Sequence, residues 1–236
     1  MSAGFNQSVN RFRSQRGKIL QQQILDTASV LGRDIEILDL GGRADYWLNV
    51  GLEGVARIVL INTTDGEFIG TGDASRLPRD RFEQRIGNAC DLGEYADGSV
   101  DFVHSNSVIE HVGDWPEITA MAREARRVGR SGWMQTPAVE FPIEPHFHLP
   151  FIHWLSKPLE ASALKLSPLA TYRQCSAEER TRLVESIRLL SRREVTMLFP
   201  DCDIYVERLL IPKSYVARWQ VAPGSIREAD PRAGRA

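Results

Sequence analysis

Two groups of side chains in this sequence have the types and spacing to move a proton. Glu110-His111 follows an apolar run that starts at Val100. An imidazole with an unperturbed pKa near neutrality can take a proton from an attacking oxygen or nitrogen. The same pair also suits a structural helix start or a pocket wall. Further on, His146, His148 and His153 cluster with Glu144 nearby. Imidazoles and a carboxylate can ligate a metal, but no H-x-x-x-H helical pair is present. Pro142, Pro145 and Pro150, with Phe147, Phe151 and Trp154, argue instead for an apolar substrate wall that carries a second base at His146, or for plain packing. No metal is expected.

A third group works through its backbone. The run Ile35–Leu40 carries Asp39 and ends in Gly41-Gly42. It reads as a buried parallel strand entering a tight turn, where glycine lets the chain bend and a ligand approach without a Cβ in the way. A helix beginning near Ala44–Asp45 would complete the ligand side of a doubly wound fold, with Asp45 at its positive end. A dinucleotide fingerprint needs further glycines where Arg43 and Asp45 stand, and the Asp45 carboxylate would repel a pyrophosphate. S-adenosylmethionine has a sulfonium and no phosphate, so it tolerates acid here and could use Asp39. Alone, this turn leaves its ligand open.

The elements that position these groups follow from periodicity. Ser8 to Leu31 can form a helix with Phe12, Ile19, Leu20, Ile24 and Leu25 on one face; residues 1–7 read as loose. Arg11, Arg13, Arg16 and Lys18 lie on its first half, as a solvated face or as a lid offering an Arg to a carboxylate of cofactor or substrate. Tyr46 to Leu52 can continue the short helix after the turn. Arg57–Thr63 is a second strand, ending near Asn62, about twenty residues after the turn, where these folds place a side chain against ribose hydroxyls. Asn can accept from one hydroxyl and donate to another atom, or simply turn the chain. Residues 64–80 read as a loop, Phe82–Ile86 as a third strand and Val100–His104 as a fourth, with Ser105-Asn106-Ser107 at its ligand edge. Asp114, Pro116 and Glu117 start a helix with Ile118, Met121, Ala122, Ala125 and Val128 inward. Gly132–Thr136 is a fifth strand.

Residues 138–158 are too proline-rich for one helix. A short helix over about 159–166 and two helices capped at Ser176 and Ser191 follow. Asp203–Leu210 and Ile211–Trp219 form a hairpin, or one strand bent at Pro212. The tail from Ala222 reads as disordered. The alternation predicts an α/β fold: a Rossmann-like three-layer sandwich with a mostly parallel seven-stranded sheet and an antiparallel edge. The expected domains are a helical lid over 1–34, a main domain over 35–218 with a substrate cap near 138–175, and a flexible tail over 219–236.

The totals narrow the function. At 236 residues the chain fits one α/β domain, and its 42% hydrophobic and 25% charged content is that of a globular protein. A net charge of −2 gives no electrostatic case for nucleic acid. Cys90, Cys175 and Cys202 have no metal-type spacing and suit a reducing cytoplasm, and Cys90 reads as packing. No signal core or membrane-length apolar run is present.

Three blocks, ILDLGG with its following YW, RIVLINT, and GNACDLGEYADGSVDFVHSNSVIEHV, resemble the class I S-adenosylmethionine-dependent methyltransferases, in particular the type 11 domain group. MQTPAVEFPIEPHFHLPFIHW and LLSRREVTMLFPD are also similar to that group, so the resemblance spans about 35–215. By position, it implies that Asp39, Gly41 and Gly42 form the cofactor turn. It implies Asn62 at the ribose, Asn88-Ala89 at the adenine, and Ser105, Asn106 and Ser107 beneath the methionyl part. Arg43 and Asp45 replace two turn glycines, and Asn stands for both usual acids, which implies weaker hydrogen bonds and modestly weaker affinity. His111, and then His146, are the expected bases. The expected activity is methyl transfer to an O or N atom of a small molecule or glycan, with no nucleic-acid partner. Two alternatives are a catalytically silent binding relative and a nicotinamide-dependent reductase.

Overall fold

A computed structural model of the chain describes residues 2–64 and 78–222, with side chains from residue 14 onward. The expectations for Arg11, Phe12 and Arg13, for most of the 64–80 loop and for the tail after Ala222 lie outside the described residues or side chains.

Five parallel strands form the larger part of a seven-stranded sheet: β1 (Ile35–Leu40), β2 (Val55–Asn62), β3 (Phe82–Ile86), β4 (Val100–Asn106) and β5 (Gly129–Pro137). Two short strands, β6 (Ile143–Glu144) and β7 (Leu149–Pro150), pair apart from it. The hairpin β8 (Asp203–Leu209) and β9 (Ile211–Trp219) closes the edge antiparallel to β5, giving the order β3-β2-β1-β4-β5-β9-β8. The chain therefore reverses at Leu210, which takes a left-handed φ of 68°, and not at Pro212. The order turns around between β1 and β4, and open α/β sheets bind ligands in the crevice at the carboxyl ends of such a pair.

The strand alternation builds two cores. Ile35 and Ile37 face α1 (Ser2–Leu31), where Leu20 and Ile24 are fully buried. Leu38 and Leu40 face α2 (Trp115–Val128), whose Ile118, Met121, Ala122, Ala125 and Val128 are buried as the periodicity requires. The sandwich thus has three layers, as expected. Gln23 of α1 donates to the carbonyls of both Gly132 and Trp219, tying the helix to two strands. Its described half is therefore part of the core. The helix begins at Ser2 and not at Ser8; no proline lies between them to stop a helix that the packed half has already nucleated.

After β1 the chain forms a 3-10 turn over Ala44–Asn49, where an α-helix was expected. Trp47 is fully buried there and its indole donates to Asp39, so a side-chain anchor fixes the segment before a regular helix can propagate. Past β5, α3 (Lys157–Ala163), α4 (Ala170–Gln174) and α5 (Ala177–Glu185) enclose a third small core of Phe147, Leu149, Ile152, Ala161, Leu164, Val184 and Ile187. This third core runs in the chain from Phe147 to Ile187. α5 and α6 (Arg192–Leu198) both open with the expected capping boxes at Ser176 and Ser191. Among the described residues no helix is long and apolar enough to cross a membrane.

Candidate active site

The turn after β1 is held from inside. Asp39 is buried, with one oxygen accepting from Trp47 Nε1 at 2.8 Å and the other 2.6 Å from His104 Nδ1. A Cβ on Gly42 would lie 2.0 Å from that carboxylate, and Gly41 has a φ of +69° with Val108 packed against its Cα. Only glycine fits either place. Asn62 donates to the Gly42 carbonyl at 2.9 Å, linking the end of β2 to the turn. Asp45 pairs with Arg43 at 3.1 Å and caps no α-helix.

Across the crevice, Ser107 leaves β4 with a left-handed φ of 56°. Two bonds hold that strained residue to Gln135 of β5: its N–H donates to the Gln135 carbonyl, and its hydroxyl to the Gln135 side chain, both at 3.0 Å. Gly41, Arg43 and Ser107 form a shared rim between two cavities. One, of about 500 Å³, is lined by Asn62, Asn88, Ala89, Val108 and His111. The other, of about 410 Å³, is lined by Arg16, Asp39, Tyr46, His104 and Asn106. Of the residues expected at the cofactor, Ser105 lines neither: it is buried, and its hydroxyl donates to the Leu40 carbonyl. Asn88 Oδ1 already accepts from Cys90 N–H, leaving its second lone pair for a ligand.

His111 and His146 come together. A short 3-10 turn over Ile109–His111 presents one ring and the β6–β7 connection the other, with Nε2 to Nε2 at 3.0 Å. Behind His146, Glu144 is buried and accepts from His146 Nδ1 at 2.6 Å and from the N–H groups of His146 and Phe147. Burial opposes charge on His146, but the hydrogen bond and charge of Glu144 outweigh it and raise the pKa. Burial and the neighbouring His146 lower that of His111. A proton on the pair therefore favours His146. Beside them Glu110 is fully buried, with Oε2 accepting from Thr136 and Oε1 unpartnered among the described residues; burial pushes its pKa up to about 7.

Glu110, His111 and His146 offer ligand atoms within 4.8 Å of one another, so a metal is geometrically conceivable. A tetrahedral zinc, with bonds of about 2.0–2.1 Å, would spread two imidazole nitrogens to roughly 3.3 Å. The 3.0 Å contact is the length of an N–H···N hydrogen bond. His148 and His153 join no such cluster among the described residues, and His153 bonds the Val139 carbonyl.

Residues 41–133 match the sequence model of a family described as "Methyltransferase domain". Over that stretch the chain is similar to methyltransferase domains. An O-methyltransferase family protein from Burkholderia thailandensis shares the fold, with a TM-score of 0.50 at 15% identity over 90% of this chain and 59% of that one. The protein WbdD, solved with the kinase inhibitor LY294002, does so with a TM-score of 0.51 at 15% identity over 86% of this chain and 40% of its own. The chain thus spans less than two thirds of either relative. A SAM-dependent methyltransferase from Aquifex aeolicus is also similar, at 15% identity and a TM-score of 0.44 over 84% of this chain and 90% of that one. No curated protein matches the chain.

Two partners have no expectation in the sequence: His104 on Asp39, and Glu144 on His146; Arg16, one of the arginines offered as a lid, lines the crevice wall. The Glu144-Pro145-His146 spacing was the available signal for the second, since a carboxylate two residues before an imidazole can reach its Nδ1 in a tight turn.

Proposed function

We propose that the protein transfers a methyl group from S-adenosylmethionine to an O or N atom of a small molecule or glycan. The observation that carries this is the His111–His146–Glu144 chain, whose His111 lines the cavity of Asn62, Asn88 and Ala89 on the β1/β4 crevice. In this reading the nucleoside occupies the cavity of Asn62, Asn88 and Ala89, and the methionyl part the one of Asp39, Gly42 and Asn106. Gly41 and Ser107 are the waist between them, and Ser105 supports the end of β4 from behind. This assignment fits the donor set, since apolar Val108 and Val112 flank one cavity while charged groups line the other.

When bound, the cofactor supplies an electrophilic methyl: the acceptor's lone pair forms the new C–O or C–N bond as the C–S electrons pass to sulfur. The chain's own task is to position the acceptor and take its proton. Each Nε2 is occupied in its 3.0 Å contact with the other, so the acceptor's proton is taken as that contact opens and one Nε2 lone pair turns to the acceptor. His146 keeps it, because Glu144 stabilises the imidazolium, and His111 hands it across. Trp47, Asn62 and Gln135 hold the turn and the strained Ser107 in register. The N-terminal helix serves as a lid at its Arg16 end, and the 138–187 region as the acceptor cap.

The test is incubation with methyl-labelled S-adenosylmethionine and cell extract, followed by mass spectrometry. A labelled small molecule or glycan fragment is expected; no labelled product across extracts would count against the reading.

A further inference from the structure

Beside the crevice lies a smaller cavity of about 210 Å³, and its wall has a charge excess. Arg16 and Ser107 line it and also line the polar cavity next door. Glu207 is the one acid among its described lining residues. It is 4% exposed, and Ser214 donates to it at 2.9 Å. Arg16 and Lys213 both approach that carboxylate, at 3.9 and 3.8 Å, which are ion-pair distances rather than hydrogen bonds. The Arg16 side chain is 12% exposed, and its Nε–H is buried without a partner among the described residues. A buried guanidinium donor without an acceptor is costly, and a carboxylate or phosphate oxygen is what its fork fits. Phe141 adds an apolar wall.

We infer that this cavity takes the methyl acceptor, and that the acceptor is a small anion whose carboxylate or phosphate is gripped by Arg16. Arg16 lies at the junction, so the anionic group is anchored there while the nucleophile reaches the Ser107 rim. Glu207 sets the cost of entry: it holds the two cations in place and keeps a second negative charge out.

This rests on the methyl-transfer reading, and one series of calorimetric titrations separates the two. S-adenosylhomocysteine is titrated first; no binding there defeats the cofactor reading itself. The loaded protein is then titrated with benzoate, phenyl phosphate and neutral benzamide. The expected result is that one anion binds at least about tenfold tighter than benzamide, the scale of one charge-assisted hydrogen bond; which anion wins distinguishes a carboxylate from a phosphate acceptor. Arg16→Met is expected to erase that preference, with the larger loss falling on the anion and the smaller on S-adenosylhomocysteine. Arg16→Lys keeps the charge and is expected to restore part of the preference. Glu207→Gln is expected to tighten the anion several-fold. Equal binding of anion and benzamide would overturn the inference. So would an Arg16→Met loss that falls on S-adenosylhomocysteine, which would assign Arg16 to the cofactor's carboxylate.

Discussion

His111 and His146 meet edge to face, 3.0 Å apart at their Nε2 atoms, from segments that are far apart in the chain. Neither ring is held by the other alone: Glu144 fixes His146 from behind, and the Glu110 carbonyl accepts from Arg188 N–H, tying the His111 turn to the cap. Replacing His111 by Ala is expected to cut turnover at least ~100-fold while S-adenosylhomocysteine still binds, the low end for loss of a general base. Steady-state kinetics beside calorimetry checks this; unchanged turnover would make His111 a structural residue.

Glu144 should govern the acid limb of the pH profile. The His146 pKa is raised by its Glu144 bond and charge against the opposing effect of burial, so the pair keeps a proton to higher pH than a free imidazole. Glu144→Gln removes the charge and keeps the shape. The limb of kcat/KM against pH should then move to lower pH, with a smaller maximum. A profile that does not move would show that Glu144 only caps the turn.

Glu110 makes stability depend on pH. Its folded pKa of about 7 lies above the ordinary 4.5 because burial disfavours the charge. A group with a raised folded pKa contributes fully below its unfolded value and loses that contribution as pH rises through the folded one. Stability should therefore fall between about pH 4.5 and pH 7, by roughly 3 kcal/mol from this group. Glu110→Gln should flatten the fall and leave the protein more stable than the parent at pH 8. Urea unfolding at pH 5 and pH 8 reads this directly, and parallel losses in both proteins would contradict it.

Asn62 joins the second strand to the glycine turn through the Gly42 carbonyl. Asn62→Ala should weaken S-adenosylhomocysteine by about 1–2 kcal/mol, the scale of one or two neutral hydrogen bonds. Unaltered affinity would place the ribose elsewhere.

The centre of the sheet was legible because β1, β2, β4 and β5 are runs buried along most of their length and closed by turn residues. The ligand edge followed from where those runs end. The capping boxes at Ser176 and Ser191 read correctly because that signal is local. What misled was also local: Ala44–Asn49 looks helical in isolation, yet the Trp47–Asp39 bond, made across the turn, selects a tighter 3-10 form. The hairpin turn at Leu210 was hidden because a leucine with positive φ has no sequence signal, whereas Pro212 has a strong one. His111 and His146 were both picked out, but their meeting was not, because contact across the cap depends on how the third small core packs. Arg16 read as one of several arginines on a helix face, solvated or offered by a lid to a carboxylate of cofactor or substrate; only the fold sets it against Glu207.

The central claim is that the β1/β4 crevice binds S-adenosylmethionine, and the most direct measurement is isothermal titration of the purified chain with S-adenosylhomocysteine. Saturable one-to-one binding in the micromolar range is expected, weakened by Asn62→Ala and kept by His111→Ala. No heat at millimolar ligand would contradict it.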